Sequence, residues 1–103
     1  MKFSPTEKKA LIHTAINILK SQKEIERIIV FGSFVDSDNP KDMDLAIFQN
    51  SNDNYMTLAM KYRKLVRDIS KKIPVDILPL RSNKSNIFIS DQINSGEVVY
   101  ERR

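Results

Sequence analysis

An α/β (α+β) fold, one sheet covered by helices, is predicted for this chain of 103 residues. Three observations predict it. An apolar stripe at helical period opens the chain, three short apolar runs are each bounded by turn residues, and an amphipathic segment separates the second run from the third. The order they imply is helix–strand–turn–strand–helix–strand–helix–strand. The length fits one domain over 1–103, with an N-terminal helix over 4–20 and a core over 26–103.

Ser4-Pro5-Thr6-Glu7 is a helix start: Ser4 can cap, Pro5 suits the first helical position and Glu7 can complete a capping box. Leu11, Ile12, Ala15, Ile16 and Leu19 then recur on one face, with His13 off that stripe and therefore at the surface. Ile28 to Phe31 is a continuous β-branched run ended by Gly32-Ser33, which reads as a buried strand. The polar segment Phe34 to Lys41 reads as a turn or short loop, Asp42 to Phe48 as a second strand, and Asn50 to Asp53 as a turn that can cap the next helix. From Tyr55 to Ile73 the apolar residues track one helix face until Pro74 ends it. Val75 to Leu80 reads as a third strand, and Pro79 argues for a sheet edge or an early end. Asn86 to Asn94 reads as a short helix stopped by Ser95-Gly96, and Val98 to Tyr100 as a last strand.

Composition narrows the function. With no cysteine and one histidine, disulfides, zinc thiolate sites and multi-histidine metal sites are excluded. No stretch approaches the roughly 20 apolar residues that span a bilayer, so no membrane association is expected, and the missing cysteines suit the cytoplasm. The formal charge of +4 favours anionic partners modestly. Six basic residues meet one acid, Asp68, between Lys61 and Lys72. Lys64, Arg67 and Lys71 fall at helical spacing, which fits the solvated face of a helix better than direct nucleic-acid contact.

The chemistry lies in the carboxylates. Side chains two apart on a strand share a face, so Asp42 and Asp44 project together from the start of the second strand, opposite Met43, Leu45 and Ile47. Two aspartates there repel each other and resist desolvation. A divalent cation relieves both problems, and an all-oxygen donor set selects Mg2+ or Mn2+ over zinc. Asp76 sits inside the apolar run Val75-Asp76-Ile77-Leu78, where a charge needs a partner. Alone it also fits an ion pair with Arg81 or Lys84. If the third strand neighbours the second, Asp76 joins Asp42 and Asp44 in the three-carboxylate cluster that serves phosphoryl and nucleotidyl transfer, and it can accept a hydroxyl proton. A strand-ending Gly-Ser is often just a turn, but Gly32 allows close backbone approach. The amides and hydroxyl at Ser33 can then cradle a phosphate.

In this order, Phe31-Gly32-Ser33, Asp42-Met43-Asp44-Leu45 and Val75-Asp76-Ile77-Leu78 resemble the nucleotidyltransferase superfamily related to DNA polymerase beta. They are similar in particular to its stand-alone minimal nucleotidyltransferases (MNT proteins), and Ile93 to Glu101 looks like the family's terminal helix and strand. The resemblance implies a nucleotidyltransferase fold with a mixed β-sheet. It also implies Asp42, Asp44 and Asp76 as catalytic metal ligands and Gly32 and Ser33 as contacts to a nucleoside triphosphate, ATP by expectation. Two departures stand out. The eight residues Phe34 to Lys41 make a shorter loop than the family usually has, and Lys41 replaces the small residue common before the first aspartate. Added acids Asp36 and Asp38 work against triphosphate binding, which Lys41 partly offsets.

The function implied is metal-dependent transfer of AMP to an acceptor hydroxyl. For an MNT antitoxin the acceptor is a tyrosine on a HEPN-type ribonuclease toxin, and homo-oligomerisation is compatible with either role. The alternative is a catalytically weak or inactive module that neutralises its toxin by stoichiometric binding. An unrelated α/β RNA-binding domain leaves the three aspartates unexplained.

Overall fold

The computed structural model describes residues 2–81, 93 and 95–102. Helix α1 (Pro5–Leu19) starts as its sequence demands. The Ser4 hydroxyl accepts from the Glu7 N–H at 3.1 Å and the Glu7 carboxylate accepts from the Ser4 N–H at 2.9 Å. These two bonds satisfy backbone donors that a helix start otherwise leaves open. Leu11, Ala15 and Leu19 form its buried stripe, and His13 is exposed.

Strand β1 (Ile25–Phe31) starts three residues before the expected run, because the charged Glu26 and Arg27 hide a strand end that pairs on both sides. Arg27 lies opposite Glu101 and makes a 2.6 Å ion pair with it. The segment expected to be only turn or loop contains a short helix, α2 (Ser33–Asp36). Gly32, at φ 76°, turns the chain into it, and Phe34 is buried as its anchor. Strand β2 (Met43–Gln49) follows, one residue later than expected, so Asp42 stands just before the strand rather than in it.

Helix α3 (Tyr55–Leu65) is capped by Asn54, whose side chain accepts from the Thr57 N–H at 2.9 Å; the cap lies one residue beyond the expected turn. It ends eight residues short of Ile73. The chain then tightens into a 3-10 turn at Ile69–Lys71, yet Val66, Ile69 and Ile73 remain buried. The apolar period therefore continues past the end of the helix that it suggested. Lys64, Arg67 and Lys71 are exposed, but they do not share one α-helix. Strand β3 (Val75–Arg81) and strand β4 (Glu97–Glu101) complete the sheet. The helix expected over 86–94 lies outside the described residues except for Ile93, which is buried.

The sheet order is β3-β2-β1-β4, with β2 and β3 parallel and the other pairs antiparallel. Among the described residues β3 pairs only with β2, the edge position that Pro79 requires. One face packs Ile28, Val30, Met43, Leu45, Ile47, Val75 and Ile77 against Leu11, Ala15, Leu19, Leu58 and Tyr62. The other carries a smaller cluster of Ile29, Ala46, Phe48 and Ile93, flanked by Phe31, Leu78 and Leu80. Tyr62 is fully buried, and its hydroxyl donates to Glu24 at 2.9 Å, where Lys61 also binds at 2.9 Å. This satisfies the one polar atom that α3 brings into the core. Arg102 ties the end of β4 to the α1–β1 connection by donating to the carbonyls of Lys20, Gln22 and Ile25.

Gly96 lets β4 approach β1. A Cβ there would stand 2.5 Å from the Val30 carbonyl oxygen and 2.8 Å from Ile29 Cγ2. Gly96→Ala is therefore expected to destabilise the fold by about 1–3 kcal/mol through overpacking. Urea unfolding measures it, and an unchanged midpoint would mean that the strands part at no cost.

Candidate metal and nucleotide site

Strand directions bring distant segments of the chain to one end of the sheet. Because β1 and β2 are antiparallel, the end of β1 lies beside the start of β2, with Phe31 opposite Asp44. Because β2 and β3 are parallel, the start of β3 lies there too, with Asp44 opposite Asp76. The Met43 N–H donates to the Pro74 carbonyl at 2.8 Å and begins that pairing. Side-chain alternation then separates two functions along β2. Met43, Leu45 and Ile47 enter the helix-covered core, whereas Asp44 shares the opposite face with Ala46 and Phe48.

Asp42, Asp44 and Asp76 meet at this end. Each offers a carboxylate oxygen, and the three oxygens lie within 4.8 Å of one another. Asp42 and Asp44 are half-buried and Asp76 is exposed. Burial, followed by the charges of Asp42 and Asp76, pushes the Asp44 carboxyl up to about 6. Burial and then Asp76 raise Asp42 as well, with Lys41 opposing. None of the ion pairs among the described residues involves the three acids. Arg81, the sequence candidate for pairing Asp76, donates instead to the Ser51 carbonyl at 2.9 Å, and Lys84 lies outside the described residues. Three carboxylates that share space without a cation need either a proton or a metal. Their all-oxygen donor set fits a hard divalent cation such as Mg2+ or Mn2+.

The other sequence candidates lie nearby. Gly32 is buried and holds the positive φ that opens α2, and Ser33 is exposed at the first position of that helix. They follow Phe31, which is the β2 partner of Asp44. Lys41 is exposed, and its charge acts on Asp42.

Sequence reasoning missed what holds the loop between these motifs. Phe3 is buried and tilted against the Phe34 ring at 6.4 Å, and its N–H donates to the Asp38 carbonyl at 2.9 Å. Lys8 donates to the Ser37 carbonyl and sits 5.5 Å over the Phe34 ring. An apolar residue just before the helix cap was the available signal for Phe3. For Lys8 there was none, since its partner lies 29 residues away.

A mixed sheet with two aspartates at the head of one strand and a third at the head of its parallel neighbour defines a nucleotidyltransferase fold. The profile of the family described as "Polymerase beta, Nucleotidyltransferase" matches residues 13–103, and the chain belongs to that family. A solved structure shares the fold. It is a chain from the complex of tri-AMPylated Shewanella oneidensis HEPN toxin with MNT antitoxin, similar at a TM-score of 0.61 and 21% identity. The alignment covers 92% of this chain and 73% of that one. Comparison with curated proteins returns no match.

The raised Asp44 carboxyl has a definite consequence for stability. The native state holds this proton up to about pH 6, whereas an unfolded aspartate releases it near 3.8. Between those values the native state binds more protons, so stability falls as pH rises and the penalty is complete above about 6. Without divalent cations, Asp44→Asn is expected to raise the melting temperature at pH 7 and to flatten the profile between pH 4 and 6. Added Mg2+ should stabilise the wild type and not the variant. Calorimetry across that pH range checks both, and a wild-type profile that runs parallel to that of Asp44→Asn between pH 4 and 6 would contradict the arrangement.

Proposed function

We propose that this chain transfers AMP from ATP to an acceptor hydroxyl on a partner protein, with a tyrosine of a HEPN-type toxin as that acceptor. The observation that supports this best is the convergence of Asp42, Asp44 and Asp76 within 4.8 Å at the open end of the sheet. The MNT partner in the similar solved complex accompanies an AMPylated toxin, which agrees with the reading. Bound to the three carboxylates, Mg2+ or Mn2+ would neutralise phosphate charge and make the acceptor hydroxyl more acidic.

The acceptor oxygen attacks the α-phosphorus, the bond to the bridging α–β oxygen breaks, and pyrophosphate leaves with that electron pair. Asp76, the most exposed of the three acids, takes the hydroxyl proton in this reading. Gly32, at the positive-φ turn into α2, and Ser33, with its hydroxyl and N–H, face the phosphates in this assignment. Lys41 adds positive charge beside them.

A second reading is favoured by one feature. The short Phe34 to Lys41 connection carries the added acids Asp36 and Asp38, whose charge works against a triphosphate. In that reading the fold neutralises its toxin by binding alone.

One experiment separates the two. The chain is incubated with the toxin encoded beside it, ATP and Mg2+, and the toxin is weighed by mass spectrometry. Transfer predicts adenylyl adducts on a toxin tyrosine, and a rate that falls by more than about 100-fold in Asp44→Asn, since even supporting residues of a metal site cost 10–100-fold. Toxin neutralisation is lost with it. Full neutralisation by Asp44→Asn without adducts would establish the binding role instead.

A further inference from the structure

The segment before and at the start of α1 touches the catalytic loop at three points, and the proposed chemistry uses none of them. The Phe3 ring packs on Phe34, its N–H holds the Asp38 carbonyl, and the Lys8 ammonium holds the Ser37 carbonyl while lying over Phe34. The loop is stiffened from within as well. The Ser37 N–H donates to the Ser33 carbonyl at 2.8 Å, the Ser37 hydroxyl accepts from the Asn39 N–H at 3.0 Å, and Pro40 is buried. Beyond Pro40, only Lys41 stands before Asp42, whose side chain is half-buried.

We propose that Phe3 and Lys8 form a strap that positions Asp42, setting the reach between the Gly32-Ser33 turn and the carboxylate cluster. Both are positioning residues: they act on Asp42 through the 37–40 backbone. The inference rests on the transfer reading given above. The physical need is specific. Asp42 is the one acid of the three outside a strand, so sheet hydrogen bonds do not fix it as they fix Asp44 and Asp76. Its position against like charges depends on the loop before it as well as on Met43 after it, and the loop takes its own position from the buried Phe34 and Phe3 and the half-buried Lys8. A carboxylate held against its neighbours' repulsion is preorganised for a cation, whereas a free one swings away and must be ordered on binding.

Lys8→Met tests the strap, because it keeps an apolar side chain of similar length and removes the ammonium that holds the Ser37 carbonyl and lies over Phe34. Mn2+ affinity is measured by electron paramagnetic resonance on wild type, Lys8→Met and Lys8→Arg, with amide hydrogen exchange on each. The expected result is Mn2+ affinity weakened about 10- to 100-fold in Lys8→Met, the range found when the support of a metal ligand is removed. Exchange should speed up at the Ser37 and Asn39 amides, and Lys8→Arg should restore both. Phe3→Leu, which removes the ring contact and keeps an apolar anchor, carries the same measurement if Lys8→Met does not fold. Lowered melting with Mn2+ affinity and loop exchange as in wild type would make the strap merely structural and overturn the inference. Absence of Mn2+ binding in the wild type itself would overturn the transfer reading, and the strap with it.

Discussion

The parallel pairing of β2 with β3 is the constraint on which the site depends. Asp44 and Asp76 stand opposite each other in that register, and a slip of one residue would send one of them into the helix-covered core. The apolar residues between and beyond them forbid the slip. Met43, Leu45, Ile47, Val75 and Ile77 all need the face that packs on α1 and α3. The same alternation that fills the core therefore leaves both aspartates on the opposite face. Burial of the core drives the strands into a register in which like charges meet, and the repulsion is the smaller quantity.

That repulsion is real and local. Asp44 titrates near 6 because burial and two neighbouring carboxylates act on it together, and no lysine or arginine among the described residues forms an ion pair there. Elsewhere in the fold, buried polar groups are matched. Glu24 receives both Lys61 and Tyr62, and Gln49 accepts from the Ser51 N–H at 2.7 Å. A protein that satisfies its internal polar groups and leaves three acids facing one another has concentrated its electrostatic strain where an external cation can release it.

Much of this was legible in the sequence, for reasons that differ between elements. The capping box of α1 is a local pattern and appeared where Ser4 and Glu7 put it. Asp42, Asp44 and Asp76 were visible as charges against apolar runs, and Pro79 marked β3 as an edge. The short helix α2 was not legible, because four residues have no period; a positive-φ glycine and the burial of Phe34 against Phe3 make it, and both are tertiary facts. The end of α3 was hidden for the opposite reason. Val66, Ile69 and Ile73 keep the apolar stripe running through a tighter turn, so periodicity reports burial rather than the type of helix. The meeting of Asp44 with Asp76 needed a strand order that single runs do not specify, and only the family resemblance carried it.

The two readings of the function part over how rigid the loop is rather than over which acids are present. A short connection with two extra acids looks damaging if it is treated as a free loop, since Asp36 and Asp38 would add to the charge that a triphosphate meets. As folded, it is not free. Phe34 is buried, the Ser37 and Asp38 carbonyls are held from α1 and Phe3, and Asp36 is exposed at the end of α2 rather than gathered with Asp42, Asp44 and Asp76. Shortening by itself therefore does not disassemble the carboxylate cluster. It transfers the work of placing Asp42 from loop length to packing against the N-terminal segment. A chain that had kept this fold only as a binding surface would need neither that strap nor the proximity of three repelling acids, and both features have a physical reason if the cluster still binds a cation.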